Sequence, residues 1–269
     1  MNICFDQLGN KLSFNETPKR IVSIVPSITE LLFFLGLGNK VVGVTRFCTE
    51  PKGIVEKIPK VGGTKNVNIS VVESLNPDII IANKEENEKE QVEKLRDIAP
   101  VWVSYVTNFD TSIELIEKIG LLFEKEKIAR TLVDNIQKKK GIFVEKMQNS
   151  KYFRKRIIYF IWRKPYMIAG KNTFIDSMLS ICTLQNVCEE IGTLSRYPTV
   201  DISILEKLNP DIIFLSTEPY PFKEKHINEF ANIFPNALIK IVRGDYFSWY
   251  GSRILDAFDY FHILFELER

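Results

Sequence analysis

A run of twelve residues occurs twice in this chain, with nine of the twelve positions identical. Ile69-Ser70-Val71-Val72-Glu73-Ser74-Leu75-Asn76-Pro77-Asp78-Ile79-Ile80 returns, without a gap, as Ile202-Ser203-Ile204-Leu205-Glu206-Lys207-Leu208-Asn209-Pro210-Asp211-Ile212-Ile213. The offset, from Ile69 to Ile202, is 133 residues. Each copy reads as a short helix, a turn at Asn-Pro-Asp and a buried strand (Ile79-Ile80-Ile81-Ala82 and Ile212-Ile213-Phe214-Leu215). The similarity reaches the pair Glu85 and Glu218. A unit repeated in register predicts two lobes of one architecture. Two generic α/β units inside a single sheet are the alternative.

Between the copies lies a long, charged, proline-free stretch from about Asn108 to about Gln148. Ile113, Ile116, Phe123, Leu132, Ile136, Phe143 and Met147 recur at helical spacings, with Glu and Lys on the other faces. Asp110 or Thr111 is the expected cap, and Gly120 and Gly141 are the expected points of interruption. A straight helix of this length would reach roughly 60 Å at about 1.5 Å per residue, so it is expected to span or brace two bodies. The predicted organisation is an N-terminal α/β lobe (1–107), a bridging helix (108–150) and a C-terminal α/β lobe (151–269).

Strand and helix alternate in each half, which predicts two Rossmann-like parallel sheets, class α/β. The chain opens on a small antiparallel pair within 3–17. Arg20–Val25 is a strand, and Ser27 with Glu30 reads as a capping box. A helix is expected over 84–94 and a strand at Val101-Trp102-Val103. In the second half Arg156–Trp162 is a strand, and Thr173 begins a helix.

The chain is 45% apolar and 26% charged, which argues against disorder. A formal charge of +2 gives no reason to expect nucleic acid. No apolar run is long enough to cross a membrane. Met1-Asn2-Ile3-Cys4-Phe5 shows no basic segment followed by an apolar one, so no signal peptide is expected on the chain as it stands. The location is read as cytoplasmic if Met1 is the true start, and as periplasmic or extracytoplasmic if a leader is missing. A monomer is expected. Cys4, Cys48, Cys182 and Cys188 form no CxxC pair and read as free thiols, although Cys182 and Cys188 are close enough in sequence to meet.

Open parallel sheets bind ligands at the carboxyl ends of their strands. The candidates there are Pro26, Ser27, Arg46, Phe47, Lys84 and Glu85 in the first lobe, with Tyr105 beside them. In the second lobe they are Trp162, Arg163, Tyr166, Arg196, Tyr197, Glu218, Tyr220, Asp245, Tyr246 and Phe247. Facing each other, they would line a cleft with aromatics and a few charges, suited to a large, partly flat organic ligand. No nucleophile elbow, phosphate loop or dinucleotide fingerprint is visible, so an enzyme is not expected. The only histidines are His226 and His262. Cys48, Glu85, Glu218 and His226 are a conceivable but minor metal set; no metal site and no required cofactor are expected.

Pro18-Lys19-Arg20-Ile21-Val22-Ser23-Ile24-Val25-Pro26-Ser27-Ile28-Thr29-Glu30 resembles the first strand and helix of the helical-backbone periplasmic binding proteins. These are the solute receptors of ABC importers for vitamin B12, iron siderophores and haem. The Asn-Pro-Asp turns, Arg196-Tyr197-Pro198 and Asp245-Tyr246-Phe247 also resemble that family, most closely its vitamin B12 receptors. The resemblance covers the chain from about residue 6 onward. It implies a substrate-binding protein whose ligand is cobalamin or another corrinoid, held in the interlobe cleft. Trp162, Tyr166, Tyr197, Tyr246 and Phe247 would touch that ligand, and Asp245 and Arg163 would address its periphery. A ferric siderophore would shift the weight to Arg46, Arg163 and Arg196, and haem to Tyr166, Tyr197 or Tyr220; a metal ion is the remaining option. An ABC permease is the implied partner. Where the vitamin B12 receptors present a glutamate to the permease from each lobe, this chain has Ser70 and Ser203. Glu73 and Glu206, one turn on, are the expected substitutes. The two serines also admit a cytoplasmic relative that binds its ligand without feeding an importer.

Overall fold

The computed structural model describes residues 2–267. In chain order the first half contains β1 (Asn2–Phe5), β2 (Lys11–Phe14), β3 (Ile21–Ser23), α1 (Pro26–Phe34), β4 (Val41–Val44), α2 (Ile69–Ser74), β5 (Ile79–Asn83), α3 (Lys89–Arg96) and β6 (Val101–Ser104). Next come α4 (Phe109–Leu122) and α5 (Glu126–Gln148). The second half contains β7 (Arg156–Trp162), β8 (Met167–Ile168), α6 (Phe174–Ile181), β9 (Gln185–Asn186), α7 (Ile202–Lys207), β10 (Ile212–Ser216), α8 (Lys225–Ile233), β11 (Leu238–Val242), α9 (Asp245–Ser248) and α10 (Arg253–Leu264).

Two compact units result. The first runs through Val106 and adds Asp110–Asn135 and Tyr250–Arg253. The second comprises Thr107–Phe109, Ile136–Trp249 and the chain from Ile254 on. Unit one is built on a parallel sheet of order β4-β3-β5-β6, with the β1–β2 hairpin beside it. In unit two β11-β10-β7 are parallel, with β8 antiparallel to β7 and β9 parallel to it. The central strands are apolar along their length because helices cover both faces of a parallel sheet. Val22, Ile80, Ala82, Leu95 and Val101 form the core of unit one. Ile158, Phe160, Leu205, Ile213, Leu215 and Phe230 form that of unit two.

The repeat is one device built twice. The side chains of Asn68 and Asp201 cap α2 and α7. Asn76 and Asn209 then take positive φ, 44° and 45°, a conformation that asparagine tolerates better than most residues. Proline follows and stops the helix. The aspartate reaches back to the entry of the unit's first parallel strand. Asp78 accepts the backbone N–H groups of Lys19 and Arg20 at 2.8 and 2.9 Å. Asp211 accepts that of Arg156 at 2.9 Å and pairs with Lys155 at 2.8 Å. An arginine at each entry returns the favour: Arg20 donates to the carbonyl of Leu75 and Arg156 to that of Leu208, both at 2.6 Å. These arginines cap the carbonyl ends of the repeat helices.

Several local expectations fail: Asp110 and Thr111, the expected caps, lie inside α4, and the helix expected over 84–94 starts only at Lys89. The 108–150 stretch is two helices, and neither Gly120 nor Gly141 breaks it. The break is at Glu124, with φ 56°. The Lys125 N–H bonds the Gly120 carbonyl at 2.7 Å and the Glu124 N–H bonds that of Leu121 at 3.3 Å, a Schellman ending with glutamate in the glycine position. Thr17 donates to the Glu124 carboxylate. Gly120 is glycine because a Cβ there would lie 2.5 Å from Cβ of Ala129 on α5. The capping box at Ser27 is also absent. Pro26 takes the first helical turn and Val25 the cap, so Ser27 lies inside α1, buried. Glu30 pairs instead with Arg253.

Candidate ligand-binding surfaces

In unit one the loops after β3, β4, β5 and β6 emerge at one end of the sheet because the strands are parallel. The turn after β5 is fixed by asparagines. Asn83 Oδ1 accepts the N–H groups of Glu85 and Glu86 at 2.8 and 3.1 Å, and its Nδ2 donates to Ser104 Oγ at 2.9 Å. Asn87 accepts the Asn83 N–H at 2.7 Å and donates to the Thr64 carbonyl at 2.8 Å. This leaves Lys84 exposed, its ammonium 3.9 Å from the ring centre of Tyr105. Arg46 lies 5.0 Å from the ring centre of Phe47, which is 49% exposed. Cys48 is buried, with the hydroxyls of Thr29 and Thr45 at 3.2 and 3.3 Å. Burial pushes its thiol up, as expected for a structural rather than a reactive cysteine. Pro26 and Ser27 are buried and offer no open surface.

In unit two the corresponding loops are aromatic. Trp162, at the end of β7, packs edge-on against Tyr220, with ring centres 5.7 Å apart and 38% of the tryptophan exposed. Tyr220 continues onto Phe222 at 4.7 Å. Arg163 forks onto Glu229, the closest contact 2.6 Å, and Tyr166 donates to the same carboxylate at 2.9 Å. The Arg163 hydrogen bonds hold Glu229 below the usual carboxylate range. Glu218 accepts from Ser248 Oγ at 2.7 Å and from Trp249 Nε1 at 3.0 Å, which joins the loop after β10 to α9. Asp245 is forked by Arg243, and Arg243 also lies 4.3 Å from the ring centre of Tyr246. Tyr246 stacks on Tyr260 at 4.7 Å. Arg196 lies 5.9 Å from the ring centre of Tyr197, on a loop whose Arg196 carbonyl accepts the Gly170 N–H at 2.8 Å.

Phe247 requires a correction. It is fully buried among Tyr159, Phe214 and Phe261, so it is part of the core of unit two and meets no ligand surface. His226 is buried too; its Nδ1 accepts the Lys223 N–H at 2.9 Å, and burial lowers its pKa. Among the described residues no group of three or more His, Cys, Asp and Glu side chains is placed to hold a metal ion. The four cysteines are free thiols. No helix among the described residues is long and apolar enough to cross a membrane.

Sequence reading missed Asn83, Asn87 and Glu229, and placed Tyr250 at the strand ends of the second lobe without its partner Glu86. The two asparagines carried a signal, since asparagine directly after a buried strand commonly closes a turn with its side chain. Glu229 carried none, because its partners lie far away in sequence.

On the other face of the repeat, Ser70, Glu73, Ser203 and Glu206 are all exposed. The serine hydroxyls turn back to the caps: Ser70 donates to Asn68 and Ser203 to Asp201, both at 2.8 Å. Glu73 and Glu206 are therefore the outward acidic groups of these helices.

Comparison with known proteins agrees with this geometry. Residues 21–233 match the family described as periplasmic binding protein. An uncharacterized ABC transporter substrate-binding lipoprotein of Bacillus subtilis strain 168, YvrC, is 34% identical over 219 residues, covering 78% of this chain and 68% of that protein. The vitamin B12-binding protein of Vibrio parahaemolyticus is 26% identical over 208 residues, covering 75% and 72%. Among solved structures, the periplasmic heme-binding protein RhuT of Roseiflexus sp. RS-1 superposes with a TM-score of 0.80 at 19% identity, covering 92% of this chain and 97% of that one.

Proposed function

Because the chain belongs to the periplasmic binding protein family, we propose that it is the substrate-binding protein of an ABC importer and carries cobalamin or a related corrinoid. The observation that carries this reading is the aromatic surface at the strand ends of unit two. Trp162, Tyr220, Tyr246 and Tyr197 offer rings to a large flat ligand, while Arg163 and Arg243 are already paired to carboxylates. A surface on which these two cations are internally neutralised suits a ligand of low net charge better than a polyanion. The 26% identity to a vitamin B12-binding protein supports the same class. The permease is met through Glu73 and Glu206, and the protein works outside the cytoplasmic membrane.

A second reading, haem or a ferric siderophore, is favoured by the half-buried phenols of Tyr197 and Tyr220 and by the exposed Arg46. Equilibrium dialysis of the purified protein against cobalamin, haem and a ferric hydroxamate separates the two. Retention of cobalamin alone supports the first reading. Retention of haem or the iron complex alone replaces it with the second.

A further inference from the structure

Between Trp249 and Ile254 the chain contributes four residues, Tyr250–Arg253, to unit one. All four are buried. Tyr250, Gly251 and Arg253 each bond to a different part of unit one. Tyr250 Oη donates to Glu86 Oε1 at 3.0 Å, at the end of the turn that carries Lys84 and Glu85. The Gly251 N–H bonds Ser112 Oγ on α4 at 3.2 Å. Gly251 has φ 87°, and a Cβ there would come within 3.4 Å of Leu31, so α1 packs directly on its backbone. Arg253 forks onto Glu30 of α1 at 2.7 and 3.0 Å. Its Nη2 also lies 3.9 Å from Glu50, which ends the loop of Arg46 and Phe47.

We propose that Tyr250 and Arg253 are positioning residues for ligand binding. Through Glu86, Glu30 and Glu50 they set the turn after β5, helix α1 and the loop after β4 of unit one from a single four-residue segment. A buried guanidinium with two carboxylates fixes geometry because each bond is directional and little water competes for it. The Tyr250 ring fills space while its hydroxyl sets the turn, so the two roles separate in Tyr250→Phe. The part that ligand binding plays here rests on the function proposed above; the setting of the loops does not.

Hydrogen exchange of the ligand-free protein tests the loop setting directly. Tyr250→Phe is expected to speed exchange about fivefold in the amides of 84–87, the size expected for one lost hydrogen bond. Arg253→Lys keeps the charge but loses the fork, and is expected to do the same for 28–34 and 46–50. Amides of β7 and β10 should keep the wild-type rate. Unchanged loops, or a uniform rise through both units, would overturn the proposal. Cobalamin titration of the same variants reads the consequence. If wild type saturates, Tyr250→Phe should bind about fivefold more weakly, and an unchanged Kd would contradict the positioning role. If wild type binds none of cobalamin, haem and ferric hydroxamate, the functional reading fails, and the exchange rates alone decide whether the segment sets the loops.

Discussion

The two units share a repeat but dress their strand ends differently. In unit one the loops are fixed by amides and carboxylates: Asn83, Asn87, Ser104 and Glu86 bond to the backbone, to each other or to Tyr250. The rings there, Phe47 and Tyr105, each sit beside a cation. In unit two ring packing joins hydrogen bonds such as those of Glu218 with Ser248 and Trp249, with Trp162, Tyr220 and Phe222 in edge contact and Tyr246 on Tyr260. Its charges close on each other as Arg163–Glu229 and Arg243–Asp245. The scaffold is thus duplicated down to the Asn-Pro-Asp turn, while the strand-end surfaces diverge. Hydrogen-bonded loops give position, and aromatic loops give contact area.

The largest expected effect tests which aromatics belong to the core. Phe247→Ala should cost about 3–5 kcal/mol, as a phenylalanine deleted from a filled core does, read by urea unfolding. Phe47→Ala in unit one should change stability little. A small loss for Phe247→Ala would mean that the ring is not packed as described.

Next comes the shared device. Asp78→Ala and Asp211→Ala should each cost about 0.5–1.5 kcal/mol, because each removes a hydrogen bond to the backbone at the entry of a first strand. Similar losses would confirm that the turns are equivalent; a loss in only one would break the symmetry.

Trp162→Ala should then weaken cobalamin binding about tenfold, the worth of one stacked aromatic of about 1.4 kcal/mol, with the urea midpoint nearly unchanged. Equal affinity would move the contact surface away from the unit-two loops.

The smallest effect is in pH. Glu229 is depressed by its Arg163 hydrogen bonds, so its contribution is fully present above the ordinary glutamate value of about 4.3 and is lost as pH falls through the lower folded value. For a pair about one quarter exposed this amounts to at most about 1 kcal/mol. Glu229→Gln should flatten the stability curve in that acid window, lowering stability by at most about 1 kcal/mol near neutrality and converging with the wild type as pH falls through the folded value.

The sequence made the sheets legible because the repeat and the buried apolar runs are local patterns, and parallel strands need both. It misplaced the helix break because a glycine inside a helix has two explanations. At Gly120 the close approach of Ala129 is the reason, whereas Glu124 terminates the helix with no compositional signal. Ser27 looked like a cap because the pattern fits, but Pro26 occupies the first turn and moves the cap to Val25. Phe247 looked like a ligand residue beside Asp245 and Tyr246. In the short helix α9 successive side chains diverge by about 100°, so one neighbour reaches the surface while the next enters the core. The site was legible as loops and not as partners: nothing local foretells that Arg163 is taken by Glu229, or Glu86 by Tyr250.

The most direct test is an absorbance-monitored titration of cobalamin into the purified protein and into a Trp162→Ala/Tyr220→Ala variant, with cobinamide, haem and a ferric siderophore as competitors. The account predicts one-to-one, micromolar or tighter binding by the wild type, displaced by cobinamide and at least tenfold weaker in the variant. Cobalamin binding untouched by the double substitution, or uptake of haem or siderophore with none of cobalamin, would contradict it.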